Sequence, residues 1–305
     1  MTATAVVEIR ELTVRYGRTT AVDGLDLEVE EGSVYALLGR NGSGKSSTVR
    51  CLLGQRRASA GELRLFGLDA WRERRRLMER VGVVPEHPDM PPQATPESLA
   101  GFMARVEPRW RDDVFRDRLA FFRVPMTTRC GRLSKGQLRQ TALALALACS
   151  PELLVLDDPT LGLDAVARRE LFEELISELA DRGSTVLLTT HDLAGVEGIA
   201  DRVGVLDQGR LVVDEELERL KQRFRRLVWA RDREPEAEAL EAGLREVGVV
   251  ASRLAAVAGE AVVSGWSEHS WARFQQRSPV EQLRVETLSL EEIFVALCGG
   301  SAGGR

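Results

Sequence analysis

No apolar run in the 305 residues approaches the ~20 that a membrane-spanning helix needs; the best, Ala142 to Cys149, is far too short. A helical membrane span is therefore not expected in this chain. Cysteine is scarce, and Cys51, Cys130, Cys149 and Cys298 show no C-x-x-C spacing. That argues against a disulfide framework or a thiolate metal site and favours buried or incidental thiols. Excess positive charge is missing too. The formal net charge is −5, so a nucleic-acid surface finds no support and no nucleic-acid partner is expected. The N-terminus also lacks a basic region followed by an apolar core, the mark of a signal peptide. These absences together predict a cytoplasmic chain that depends on other chains for any membrane process.

What is present is ordinary for a globular protein, with 44% hydrophobic and 29% charged residues. The length suits one large and one small domain. The most informative stretch is Gly39-Arg40-Asn41-Gly42-Ser43-Gly44-Lys45-Ser46-Ser47, which fits G-x-x-x-x-G-K-[ST] in full. Apolar Val34–Leu38 leads in and helix-compatible Thr48–Leu53 leads out, the context that a phosphate loop requires. Three glycines let backbone N–H groups turn toward phosphate oxygens where a side chain would block approach. The following helix adds its free N–H groups and positive dipole end. Lys45 reaches for the β- and γ-phosphates, and the Ser46 hydroxyl for Mg²⁺.

Before this loop, Val6 to Val29 reads as short antiparallel strands, with Tyr16 either an edge-strand packing residue or a ligand contact. After it come a strand and turn over Gly61–Gly67, a basic helix over Trp71–Arg80, and a strand over Val81–Glu86. Four prolines between His87 and Pro96 mark a loop. Helices are predicted over Thr95–Val106, Arg111–Phe122 and from the Leu133–Gln137 stretch to Cys149. This helical insert interrupts an alternating αβ pattern and predicts a subdomain. Leu153–Asp158 is a fully apolar strand ending in two acids. Such a strand is buried and presents carboxylates at its C-terminal edge, unless Asp157 and Asp158 merely serve the turn at Pro159. A helix over Ala165–Asp181, a strand over Ser184–Thr189 and His191 at that strand's edge follow, then a strand pair about the turn at Asp207–Gly209.

Beyond Leu220 the pattern changes. Leu227–Ala230 reads as a strand, Pro235–Val247 as a helix, and Val249–Ala258 with Ala261–Trp266 as a hairpin about Gly259. Helical Ser270–Gln276, extended Val280–Val285 and a last helix over Leu290–Leu297 complete a β-α-β-β-α-β order plus one helix. That order is the ferredoxin-like one. His269 and Trp271 are expected to be packing or surface residues.

In their order and spacing these motifs resemble an ABC-type ATPase over about residues 6–215. Gly39–Ser47 resembles the Walker A loop, Leu133–Gln137 the LSGGQ signature, Val155–Asp157 Walker B, and Gly162-Leu163-Asp164 the D-loop. The resemblance implies an α/β P-loop fold: a mixed sheet with an antiparallel β subdomain and a helical subdomain at about 87–150, plus the small α+β ferredoxin-like module. Residues 1–220 would form the nucleotide-binding domain and 221–305 an accessory or regulatory domain. ATP and Mg²⁺ are the implied ligands. Tyr16 would stack on adenine, and Gly39, Asn41, Gly42, Ser43, Gly44, Lys45, Ser46 and Ser47 would hold phosphates. Ser134, Gly136 and Gln137 would meet the nucleotide of a second cassette, and Asp164 of the D-loop would be a further nucleotide-binding residue. Ser46, Asp157 and Glu86 would serve Mg²⁺. Asp158, His191, Lys45 and Glu86 would serve the chemistry.

Val84-Pro85-Glu86, the signature and Ser289–Phe294 are similar to the ABC-2-type exporter branch. That implies the ATPase subunit of an exporter, peripheral on the inner face of the cell membrane. Its partners would be a separate polytopic permease and a homodimeric or related second cassette. A soluble ATP-dependent clamp or regulator is the alternative from another class, and a slow-hydrolysing transporter cassette is a third. Three residues depart from the family pattern: Glu86 for a glutamine, Lys135 for a glycine, and Asp158 for the glutamate after Walker B. Asp is one methylene shorter, about 1.5 Å at full extension. The shortfall predicts a slower chemical step that Asp158→Glu relieves, unless a shifted Asp158-Pro159 backbone brings the shorter acid into range, in which case Asp158→Glu slows the enzyme.

Overall fold

A computed structural model of the chain describes residues 4–230, 248–254, 258–277 and 284–299. The chain divides into two compact units, Met1–Asp214 and Glu215–Arg305. The first is built on two sheets. Strands β1 (Ala5–Tyr16), β2 (Thr19–Glu30), β4 (Ala60–Leu65) and β5 (Leu68–Asp69) form one, in the order β2-β1-β4-β5, with antiparallel neighbours. The other runs β10-β9-β3-β8-β7-β6, built from β3 (Val34–Leu38), β6 (Val81–Val84), β7 (Leu153–Asp157), β8 (Thr185–Thr190), β9 (Arg202–Asp207) and β10 (Arg210–Glu216). Its central pairs, β9-β3, β3-β8, β8-β7 and β7-β6, are parallel.

The strand types follow from burial. All five residues of β3 and all six of β8 are buried, as suits parallel strands covered on both faces. Parallel neighbours also bring their C-terminal ends to one edge, and there the segments after β3, β7 and β8 meet. Helix α1 (Lys45–Leu52) packs Leu52 into a cluster with Ile9, Leu12, Leu25, Leu37 and Val155. The antiparallel sheet, α1 and the parallel sheet thus close on one core. Truncating fully buried Leu52 to Ala would cost about 2–5 kcal/mol.

Between β6 and β7 the chain is helical: α3 (Pro96–Val106), α4 (Asp112–Phe121) and α5 (Lys135–Ala148). Thr95 and Ser98 cap α3 reciprocally, each side chain accepting the other's backbone N–H. An Arg118–Glu174 ion pair ties α4 to α6 (Ala165–Arg182). The basic helix expected over Trp71–Arg80 is shorter, α2 (Arg74–Met78). The Asp69 carboxylate accepts the N–H groups of Trp71 and Arg72, holding that stretch as a turn. The four-residue helix α7 (Leu193–Val196) follows β8.

The second unit begins with α8 (Leu217–Arg223), which the sequence reading did not separate from its surroundings. Four strands follow: β11 (Arg225–Ala230), β12 (Val249–Leu254), β13 (Ala258–Val263) and β14 (Arg284–Thr287). They pair antiparallel in the order β12-β13-β11-β14. Helices α9 (Glu268–Arg277) and α10 (Leu290–Gly299) accompany them. Numbered within the unit, that order is 2-3-1-4, the arrangement of a ferredoxin-like sheet. The helix expected over Pro235–Val247 lies outside the described residues.

Gly259 does not form the hairpin turn expected of it. It sits inside β13 opposite Trp229, where an added Cβ would lie 2.4 Å from the indole. Space for that ring, not a turn, selects glycine here. Trp271 packs between Trp266 and Phe274, a structural role as expected.

Candidate nucleotide site

The phosphate loop joins buried β3 to α1, so its two ends are fixed by core packing. Gly44 has φ +116°, and a Cβ there would lie 2.5 Å from the Ala21 carbonyl oxygen. Conformation and space both exclude a side chain. Lys45 is 92% buried at the start of α1, its exposed fraction being 8%. Its Nζ donates to the carbonyls of Gly39 at 2.6 Å and Arg40 at 3.2 Å. Burial pushes its ammonium below the usual lysine range, while the carboxylates of Asp158, Asp157 and Glu86 pull the other way. The Ser43 hydroxyl is buried with no hydrogen-bond partner. Such a group is costly unless a ligand supplies the partner, and a phosphate oxygen would be one. Asn41 and Gly42 lie at the exposed tip of the loop.

Strands β7 and β8 are in register at Asp157 and Thr189, which brings the acids to the loop. Thr189 Oγ1 donates to Asp157 Oδ1 at 2.6 Å, and Ser46 Oγ lies 3.4 Å from the same oxygen. Asp158 follows with φ +50°, in the left-handed region that Asp tolerates better than most side chains. Its N–H donates to the Thr189 carbonyl at 2.9 Å. Its carboxylate faces Thr190 Oγ1 at 3.5 Å and His191 Nδ1 at 2.7 Å. The structure thus gathers Lys45, Ser46, Asp157, Asp158 and His191 at one edge. No cluster of three or more His, Cys, Asp or Glu able to hold a metal occurs among the described residues. A cation here would take two hard oxygen donors from Ser46 and Asp157, and the rest from phosphates and water. Mg²⁺ fits that donor set.

Tyr16 is 37% exposed, with its hydroxyl 3.4 Å from Ser47 Oγ. The Arg56 guanidinium lies 3.7 Å from the ring centroid, so one face of the ring is already covered. Glu86 stands beyond β6, its carboxylate acting on Lys45 through charge and lying 3.7 Å from His87 Nδ1.

The remaining expected residues gather elsewhere. Ser134 caps α5: its hydroxyl accepts the Gln137 N–H at 3.1 Å, and the Gln137 side chain accepts the Ser134 N–H at 3.0 Å. Gly136 follows the cap. Asp164 caps α6 by accepting the Ala167 N–H at 2.8 Å. Ser134, Lys135, Gly136, Gln137, Leu163 and Asp164 line an open hollow of about 490 Å³ that no phosphate-loop residue enters. Sequence reasoning missed Thr189, Arg56 and Arg139. Of these only Arg139 left a signal, as a cation at the mouth of the apolar run Ala142–Cys149.

The ABC transporter family model matches residues 22–161. The bacitracin transport ATP-binding protein of Bacillus licheniformis is 30% identical over 223 residues, 72% of this chain and 73% of the relative. The Nod factor export ATP-binding protein I of Paraburkholderia xenovorans is 38% identical over 218 residues, 69% of this chain and 70% of that protein. Among solved structures, cbiO1 from Clostridium perfringens, part of the ABC transporter complex cbiONQ, superposes with a TM-score of 0.61. That pair is 27% identical and covers 70% of this chain and 89% of the other.

Proposed function

Because the chain belongs to the ABC transporter family of ATP-binding, ATP-hydrolysing proteins, we propose that it powers an ABC-2-type exporter as one half of a head-to-tail dimer. The observation that carries this reading is the separation of two half-sites. Lys45, Ser46, Asp157, Asp158 and His191 gather at the phosphate loop, while Ser134, Gly136 and Gln137 line a different hollow. Two copies facing head to tail bring each half-site against the other's complement, with ATP between them.

In that arrangement the phosphate-loop N–H groups, Lys45 and the Ser43 hydroxyl bind the phosphates, and Tyr16 offers its open face to adenine. Ser46 and Asp157 would hold Mg²⁺, which when bound neutralises phosphate charge. Asp158 orients a water and accepts its proton as the water oxygen attacks the γ-phosphorus and the bond to the β–γ bridging oxygen breaks. His191 holds the Asp158 carboxylate in place. Loss of the shared γ-phosphate releases the dimer, a switch set by one anion.

No helix among the described residues is long and apolar enough to cross a membrane. A separate permease therefore supplies the membrane pathway in this reading. Its docking place is a groove of about 370 Å³ lined by Met78, Pro85, Met90, Met103, Leu145 and Cys149, with exposed Phe102 and Val106 on the same helix as Met103. A cleft of this kind beside the Glu86 loop, with apolar side chains and the charged Glu79, Asp89, Glu107 and Arg109 in its lining, suits an amphipathic cytoplasmic helix. The residues after 220 would form the accessory domain. Co-expression with a polytopic membrane protein encoded beside this chain tests the function. Co-purification and ATPase stimulation by the membrane chain are expected. A chain that hydrolyses ATP and never associates with such a protein is instead a soluble clamp.

A further inference from the structure

Arg139 lies one turn into α5, 5% exposed, in a place where a cation needs a reason. Its Nη2 donates to the Glu86 carbonyl at 2.7 Å. Its Nη1 and Nε are buried with no hydrogen-bond partner. A Cβ built on Gly162, in the turn after β7, would lie 3.5 Å from Nη1, so that backbone passes directly beside the guanidinium. Burial pulls the guanidinium below its usual range, and the negative charges of Asp158 and then Glu86 oppose that. Two regions far apart in sequence therefore meet at one buried cation: the Glu86 loop and the turn after β7 that leads from Asp158 to Gly162.

A buried guanidinium with three unmet N–H groups carries a desolvation cost that its one hydrogen bond offsets only in part. A stability role is thus a poor account of it. We propose that Arg139 is a positioning residue for hydrolysis. It holds the Glu86 loop and the Gly162 turn at fixed distances from Asp158, so that the shorter acid meets its water. This rests on the reading of Asp158 as the group that takes the water's proton. Because Arg139 sits on α5, the helix that Ser134 and Gln137 cap, movement of that helix on engaging a second copy reaches the Glu86 loop and the Gly162 turn through this side chain.

The test uses the full chain with Arg139→Met, Arg139→Lys and, as a control on the underlying reading, Asp158→Asn. Steady-state ATPase, equilibrium ATP binding and melting temperature are measured for each. Arg139→Met is expected to lower kcat at least tenfold, with ATP affinity within twofold of the parent and a melting temperature unchanged or raised. Arg139→Lys keeps the charge without the fork and is expected to fall between. A kcat within twofold of the parent in Arg139→Met overturns the proposal. So does a joint fall in kcat, affinity and melting temperature, which marks a structural role, or a Lys variant no better than Met. If the parent does not hydrolyse ATP, or Asp158→Asn matches it, the reading of Asp158 fails whatever Arg139 does.

Discussion

Asp158 Oδ2 lies 2.7 Å from His191 Nδ1, joining the acid after β7 to the residue after β8 across two neighbouring strands. The Asp158 side chain is 13% exposed and that of His191 50%, so the pair has an inner acid and an outer imidazole. This geometry suits a base that must stay fixed while water and nucleotide exchange in front of it.

Removing the acid should therefore separate binding from chemistry. Asp158→Asn is expected to lower kcat by about 10²–10⁴, the range that general-base catalysis supplies, with ATP affinity retained. It should also accumulate an ATP-bound dimer by size-exclusion chromatography. Lys45→Ala removes the charge that faces the phosphates and is expected to abolish ATP binding altogether. A common loss of affinity in both variants would show that Asp158 holds nucleotide rather than water.

The methylene that Asp158 lacks would, on chain length alone, make Asp158→Glu faster. The structure argues for the reverse. At φ +50° Asp is tolerated better than Glu, and its carboxylate already reaches His191 and Thr190. A longer acid would overrun both partners. Asp158→Glu is expected to lower kcat several-fold with KM unchanged, read from steady-state kinetics; a rise would restore the slow-cassette view.

The docking groove predicts where a permease will be found. A cysteine placed at Asp89, which lines the groove, should crosslink to a co-expressed membrane subunit, and one at Gln93 more weakly. Strong crosslinks from positions in 248–277 instead, with none from Asp89, would move the interface to the second unit.

Cys149 offers a pH test of the same groove. Burial, aided by Glu107 and opposed by Arg109, pushes its thiol up to about 11. An ordinary cysteine titrates near ~8.5. Its alkylation rate should keep climbing between pH 9 and about 11 rather than level off, followed by mass spectrometry of the modified peptide. Permease binding should then slow it further at fixed pH. A plateau near that of free cysteine would show an open, solvated thiol.

The phosphate loop, the paired acids, the signature stretch and the order of most strands and helices were legible in the sequence. Each is written in local chemistry: glycines at positions where a Cβ has no room, and apolar runs of strand length. Gly259 shows the limit of that reading. A glycine between apolar runs signals a turn, yet here it makes room for Trp229, a neighbour some thirty residues earlier. The same limit hid Thr189 on Asp157, Arg56 on Tyr16 and Arg139 on Glu86, because nothing local encodes which strand lies beside which. The residue types thus settled what chemistry the chain can do. Tertiary structure decided that the signature lies apart from the phosphate loop, since the parallel sheet gathers strand ends at one edge while α5 starts elsewhere.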